Sequence, residues 1–200
     1  MSDPRREVAR HDKAQLRELM KDRLAGLPAE ERERRSAAIW EQLRAVPAFA
    51  QGRHVFTCLS FGPEVNTWPL VDALVQEGRR AVYVPRCGPG DDPMTVHPYP
   101  CDLQTLSFGL RQPAVSAPAL RDQDLDATLD CACILGLAFD PQTGHRLGYG
   151  RGHFDRFLAR HRITAIALAY EEQLVPGLPR DAHDVPMDVV VTEAGVYVPS

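Results

Sequence analysis

The chain has 200 residues, a quarter of them charged, and a formal net charge of −4. That length suits one globular domain burying about 70% of its unfolded surface, and the acidic balance argues against a general nucleic-acid binder. No stretch approaches the ~18 apolar residues of a membrane span, and the N-terminal MSDPRREVARHDK is charged with no apolar core, so a soluble, cytoplasmic protein is expected.

Residues 1–12 read as a flexible tail. Asp12 followed by Gln15 is a capping-box pattern, and Leu16, Leu19, Met20, Leu24 and Leu27 recur at helical spacing, predicting a helix from about 13 to 26. Pro28 opens a second helix that turns Ile39, Leu43 and Val46 inward and leaves EERERR at 30–35 as a solvated surface. His54–Ser60 is a β-rich run, Thr67 can cap a helix carrying Leu70, Leu74 and Val75, and Ala81–Val84 is a strand ending at Pro85. These make a β-α-β unit. Residues 88–130 are rich in Pro, Gly and Asp, with one short strand at Met94–His97. They read as excursions over the sheet, with the Gly-Pro content of a mobile lid.

Ala132–Phe139 is continuously apolar, as expected of a parallel strand covered on both faces, and Ile163–Ala169 repeats the pattern. Five cysteines without a Cys-x-x-Cys pair read as reduced thiols, with Cys131 and Cys133 buried as small hydrophobes. Val189–Thr192 is a last strand with Val196–Val198 beside it. Alternating strands and helices predict a mostly parallel α/β sheet, with its ligand crevice beyond the strand C-termini.

Two loops leave strands on that edge. SFGPEVNT brings Glu64 there. The other is LGLAFDPQTGHRLGYGRGHFDRFL, from Leu135 to Leu158, where an apolar segment breaks into a glycine- and arginine-rich loop and restarts as a helix. Gly144, Gly148, Gly150 and Gly152 supply positions where the backbone can take φ > 0 and turn N–H donors toward an anion, while Arg146 and Arg151 add charge that does not titrate. The helix begins near Gly152 or His153, because Phe154, Phe157, Leu158 and His161 then share a face, and phosphate would sit at its N-terminus. Asp155 in that first turn either stabilises the helix start or holds a hard cation such as Mg²⁺ against the phosphates. The pattern is neither a P-loop nor G-x-G-x-x-G, and by itself specifies an anion or phosphate site.

Taken with LAFD, SFGPEVNT and the Lys13/Arg17 pair, this loop makes residues 13–192 resemble the 5-formyltetrahydrofolate cyclo-ligase family, the methenyltetrahydrofolate synthetases. The most specific part is similar to the family's apolar strand followed by R-L-G-x-G-x-G-x-x-D. The resemblance implies one Rossmann-like three-layer α/β domain over residues 1–200, a monomer acting on small molecules, with no nucleic-acid or membrane partner. It implies conversion of 5-formyltetrahydrofolate to 5,10-methenyltetrahydrofolate with ATP and Mg²⁺, releasing ADP and phosphate. The formyl oxygen on N5 leaves poorly, so phosphoryl transfer to it creates a leaving group before N10 closes the ring. Such chemistry needs positioning and charge stabilisation more than a nucleophile.

The resemblance also implies roles. Lys13 and Arg17, one turn apart on a helix, bind ATP phosphates. Arg146, Leu147, Gly148, Tyr149, Gly150, Arg151, Gly152, His153 and Phe154 form the nucleotide loop, with Arg146, Tyr149 and Arg151 as the catalytic group. Asp155 and Asp184 bind Mg²⁺, Asp188 being an alternative to Asp184. Glu64 grips the reduced pterin, and Leu59, Phe108, Tyr149 and His153 surround the pterin or its formyl group. Arg86 is a further anion contact. Four positions depart from the family pattern: His153-Phe154 replaces two tyrosines, Leu135 a proline, and Asn66 an acid. A non-catalytic folate or nucleotide binder and another ATP-dependent ligase are the alternative readings. An RNA-binding module is disfavoured because Arg146, Arg151, Arg156, Arg160 and Arg162 divide between a loop and several helix faces.

Overall fold

The computed structural model describes residues 12–90 and 92–200, so the expected N-terminal tail lies outside the described residues except for Asp12. Seven strands form the central sheet. From edge to edge they are Val196–Tyr197 (β11), Val189–Val191 (β10), Thr164–Leu168 (β9), Cys131–Ile134 (β6), His54–Thr57 (β1), Ala81–Arg86 (β2) and Thr95–Tyr99 (β3). The strands from β10 to β2 are parallel and both edge strands antiparallel. The chain moves from β1 outward to β2, then returns to the other side of β1 for β6, β9 and β10. That reversal opens a crevice beyond the C-termini of β1 and β6.

Alternate residues of the buried strands feed two cores, as the strand period of two dictates. Val55, Cys131, Cys133, Ile166 and Leu168 face one core with Leu16, Met20 and Leu24 of helix α1 (Lys13–Ala25) and Ile39 and Leu43 of α2 (Ala29–Leu43). Leu70 and Leu74 of α4 (Trp68–Glu77) join them, after the short α3 (Pro47–Gln51) that carries Phe49. Phe56, Ala132, Ile134, Ala165 and Ala167 face the other core with Leu125 of α5 (Leu125–Thr128) and Phe157 of α6 (His153–Leu158). The result is a three-layer α/β fold with a mostly parallel sheet, as expected. The capping box forms: Asp12 Oδ1 accepts from the Ala14 and Gln15 N–H groups and Gln15 Oε1 from Asp12 N–H.

Four expectations are corrected in whole or in part. Ala132–Phe139 is not one strand: β6 stops at Ile134, and Ala138–Phe139 (β7) turns off to pair antiparallel with Arg146–Leu147 (β8). Gln173 Nε2 donates to the carbonyls of Gly136 and Leu137, at 2.7 and 3.3 Å, and takes acceptors a continued ladder would need. Thr67 stands at the N-cap of α4 as expected, but its side chain makes no capping bond; the hydroxyl donates to Cys58 O at 2.7 Å and accepts from Ser60 N–H. Asn66 Oδ1 instead accepts the Trp68 N–H at the start of α4. Within EERERR, Arg35 leaves the solvated face to pair with Glu31, Glu172 and Glu193. Segment 88–130 carries its expected strand, as β3, and also a hairpin the sequence did not announce, β4 (Leu103–Thr105) with β5 (Arg111–Pro113).

Candidate active site

Each wall of the crevice is built by a local device. After β1, Ser60 and Thr67 exchange hydrogen bonds at 3.0 Å, closing the turn that contains Glu64. The Glu64 carbonyl lies 3.1 Å from Tyr170 Oη, which also meets Ser36 Oγ of α2. The side chain folds back so that Oε2 accepts the Phe61 N–H at 3.0 Å. Only 7% exposed, the Glu64 carboxyl is pushed by burial up to about 7.

After β6, the β7–β8 hairpin brings Arg146 under the cleft. Buried Asp140 holds it from within by accepting the Gln142 and Gly177 N–H groups, both at 2.9 Å. Gly144, at φ +73°, has no room for a side chain: a Cβ would lie 2.3 Å from Met187 O. Arg146 is buried, its Nη2 lies 3.1 Å from Asp155 Oδ2, its guanidinium lies over the Phe154 ring at 5.4 Å, and its Nε is without a partner among the described residues. Phe154, one of the departures from the family pattern, thus packs against the arginine of the loop.

The glycine loop follows. Gly150 and Gly152 take φ +96° and +64°, whereas Gly148 does not have positive φ; it is required for clearance, since a Cβ there would lie 2.6 Å from Arg146 Nη1. Helix α6 starts at Gly152 with no side-chain cap, which leaves its first-turn N–H groups to other acceptors. From α1, Arg17 Nε donates to Gly148 O at 3.0 Å, and Lys13 Nζ lies 2.6 Å from Asp181 Oδ2 and 2.5 Å from Asp184 Oδ2.

The far wall is the β4–β5 hairpin. Buried Gln112 anchors it by accepting from the Cys87 N–H and donating to the Cys87 carbonyl. At its tip Phe108, 61% exposed, meets Phe61 edge-on at 5.7 Å; Phe61 lies 5.9 Å from the Tyr149 ring, and Tyr149 Oη donates to Glu64 Oε1 at 3.0 Å.

These walls enclose a cleft of about 600 Å³. The structure brings Lys13, Arg17, Leu59, Glu64, Phe108, residues 146–155 and Asp184 to it, but not Gly144, whose N–H donates to Asp140 O at 2.9 Å instead of facing an anion. Leu147 contributes from a buried position, while Arg151 is exposed at the rim. Arg86 lines it as well and donates to Pro113 O at 3.3 Å. Phe61, Gln112 and Asp181 were not singled out. Phe61 sits inside the SFGPEVNT turn, but Gln112 follows no pattern, because its role depends on a hairpin without periodicity. Among the described residues, Asp181, His183 and Asp184 have ligand atoms within 4.8 Å of one another. Asp155 is engaged elsewhere, with Arg146 and the Val185 N–H. Asp188 is not in the cleft lining, and its Oδ2 accepts the Ala165 N–H at 2.7 Å.

Residues 9–193 match the 5-formyltetrahydrofolate cyclo-ligase family. The mouse 5-formyltetrahydrofolate cyclo-ligase is 30% identical over 190 residues, covering 89% of this chain and 92% of its own. The Mycolicibacterium smegmatis enzyme of the same name is 30% identical over 186 residues, with 90% and 93% covered. The solved NMR structure of Aquifex aeolicus 5,10-methenyltetrahydrofolate synthetase superimposes with a TM-score of 0.78 at 30% identity, covering 93% of this chain and 92% of that one. The glycine loop, the buried glutamate and these matches over nearly the whole length agree: the chain belongs to the 5-formyltetrahydrofolate cyclo-ligase family.

Proposed function

We propose that the protein converts 5-formyltetrahydrofolate and ATP into 5,10-methenyltetrahydrofolate, ADP and phosphate in an Mg²⁺-dependent reaction. One observation carries the reading: Glu64, suited to a pterin edge, and the glycine loop, suited to phosphates, meet in one cleft and are joined by the Tyr149–Glu64 hydrogen bond.

The residues have the chemistry that each half needs. A carboxylate pairs with the N–H donors of a reduced pterin, and Leu59, Phe61, Phe108 and Tyr149 supply apolar and aromatic walls that exclude water. Arg146 presents a buried Nε with no hydrogen-bond partner among the described residues, which fits a phosphate oxygen. Lys13, Arg17 and Arg151 add cationic charge around it. The γ-phosphoryl group moves to the formyl oxygen with release of ADP, N10 attacks the activated carbon and gives up its proton to solvent, and phosphate leaves with the former formyl oxygen as the ring closes; Arg146, Tyr149 and Arg151 hold the reacting groups in line.

The donor set fits Mg²⁺, since carboxylate oxygens are its ligands and Asp181 and Asp184 already hold the Lys13 ammonium between them. Asp184, with Asp181 beside it, would hold the ion, and Asp155 would join them on giving up Arg146 Nη2. When bound, the ion neutralises phosphate charge. No described helix is long and apolar enough to cross a membrane, and free cysteines suit a reducing compartment; we read the protein as a cytoplasmic monomer.

The test is optical. Protein, MgATP and 5-formyltetrahydrofolate should give the near-ultraviolet absorbance of the methenyl product, and Arg146→Ala should lose it. A flat trace from folded wild-type protein rejects the reading in favour of a binder or a different ATP-dependent enzyme.

A further inference from the structure

Both oxygens of the Glu64 carboxylate are engaged by the protein itself. Oε2 accepts the Phe61 N–H and Oε1 accepts the Tyr149 hydroxyl, each at 3.0 Å. The Phe61 donor belongs to the same turn as Glu64. Tyr149 instead belongs to the glycine loop, held in place from the phosphate side of the cleft. Its neighbour Gly148 gives its carbonyl to Arg17 Nε at 3.0 Å, and its other neighbour Gly150 lies beside the same guanidinium, where a Cβ would stand at contact distance, 3.4 Å, from Arg17 Cζ. One chain of contacts therefore runs from Arg17 through Gly148 and Tyr149 to Glu64.

We propose that Tyr149 is a latch coupling the two halves of the cleft: its hydroxyl occupies a pterin-donor position on Glu64, nucleotide binding withdraws it, and nucleotide and folate consequently bind with positive cooperativity. The inference rests on reading the cleft as a nucleotide–folate site.

The physical order is set by acceptor strength. A phosphate oxygen is a stronger partner for a guanidinium than a neutral carbonyl. When Arg17 turns to phosphate, Gly148 O is released, and the flanking glycines let the backbone reset without a side-chain clash. Tyr149 then leaves Glu64 Oε1 unpaired at a site only 7% exposed, an unfavourable state that a pterin N–H relieves. Folate binding without nucleotide must displace the latch itself, and nucleotide binding without folate must leave the carboxylate unsatisfied. Each ligand is thus bound more tightly when the other is present, and linkage requires the two factors to be equal. Tyr149 acts here as a positioning residue.

Calorimetric titration with 5-formyltetrahydrofolate, with and without Mg²⁺ and the non-hydrolysable β,γ-imido analogue of ATP, tests this. In the wild type the analogue should tighten folate binding by about fivefold or more, and folate should tighten the analogue by the same factor. Tyr149→Phe keeps the ring against Phe61 and removes the latch. It should bind folate more tightly than wild type without nucleotide, and its coupling factor should fall to about one. Arg17→Gln is the second variant: it removes the guanidinium that holds Gly148 O, so the latch should loosen, folate affinity without nucleotide should rise toward the Tyr149→Phe value, and coupling should fall. Circular dichroism checks both folds, and either folded variant is decisive alone. A wild-type coupling factor retained in a folded variant overturns the latch. So does wild-type protein that binds both ligands independently, which leaves the proposed function standing. Wild-type protein that binds neither ligand overturns both.

Discussion

Gly148 leaves open the space that the Arg146 guanidinium fills: a methyl group on residue 148 would lie 2.6 Å from Arg146 Nη1. The clash falls on the end of a side chain rather than on backbone. Gly148→Ala should therefore leave the fold nearly intact while pushing Arg146 off Asp155, now 3.1 Å away. A displacement of that size is expected to lower kcat about a hundredfold, with Tm shifted by only a few degrees. Wild-type kinetics in this variant would show that Arg146 does not act from its observed position.

Gly144 behaves oppositely. Its φ is +73° and a Cβ would meet Met187 O at 2.3 Å, while its own carbonyl accepts the Met187 N–H at 2.8 Å. Backbone cannot give way there, so Gly144→Ala should lose about 3 kcal/mol of stability. Gly109, at φ +94° with nothing within 4 Å of a Cβ, is the control, with strain alone costing roughly 1 kcal/mol. Urea unfolding of the two variants separates clash from strain.

Glu64 gives a pH dependence with a definite sign. Its carboxyl is raised by burial from 4.5 to about 7, so between those values the folded chain binds more protons at this site than the unfolded chain. Stability is then lost as pH rises across that window, amounting to roughly 3 kcal/mol by pH 8. Glu64→Gln has no charge to bury. It should be more stable than wild type by up to that amount at pH 8, with the difference vanishing near the unfolded carboxylate value, while its folate KM rises at least about tenfold. A stability difference that does not change with pH would assign the effect to packing.

The central strands and α1 were legible in the sequence because burial on two faces leaves continuous apolar runs and because Asp12–Gln15 is a local signal. The glycine loop was legible because close approach to Arg146 and Met187 admits no side chain at Gly148 and Gly144, and because Gly150 takes φ +96°. What was hidden depends on partners distant in the chain. The break after Ile134 is made by Gln173 binding the Gly136 and Leu137 carbonyls, and the apolar run continues through it because β7 is also buried. Gln112 clamps Cys87 across 25 positions. Thr67 has the composition of a cap, yet its hydroxyl is taken by Cys58 O.

Asp184 bears on the metal requirement. Its side chain, 9% exposed, holds Lys13 Nζ at 2.5 Å and accepts the Asp181 N–H at 2.7 Å. A divalent ion drawing on the same oxygens competes with that ammonium, because two cations cannot share the carboxylate at contact distance. Chelation should abolish activity and Mg²⁺ restore it. Asp184→Asn should raise the Mg²⁺ concentration for half-maximal rate about tenfold or more. Lys13→Gln should lower that concentration while raising the KM for ATP, since the competing charge is removed along with a phosphate contact. Asp188→Asn provides the contrast: its Oδ2 serves the Ala165 N–H outside the cleft, so it should cost about 1 kcal/mol of stability and leave the Mg²⁺ requirement unchanged. The discriminating measurement is a Mg²⁺ titration at saturating ATP. If Asp184→Asn matches wild type there, the ion is held by the phosphates and by carboxylates other than Asp184, and the Lys13–Asp184 pair serves only to position α1.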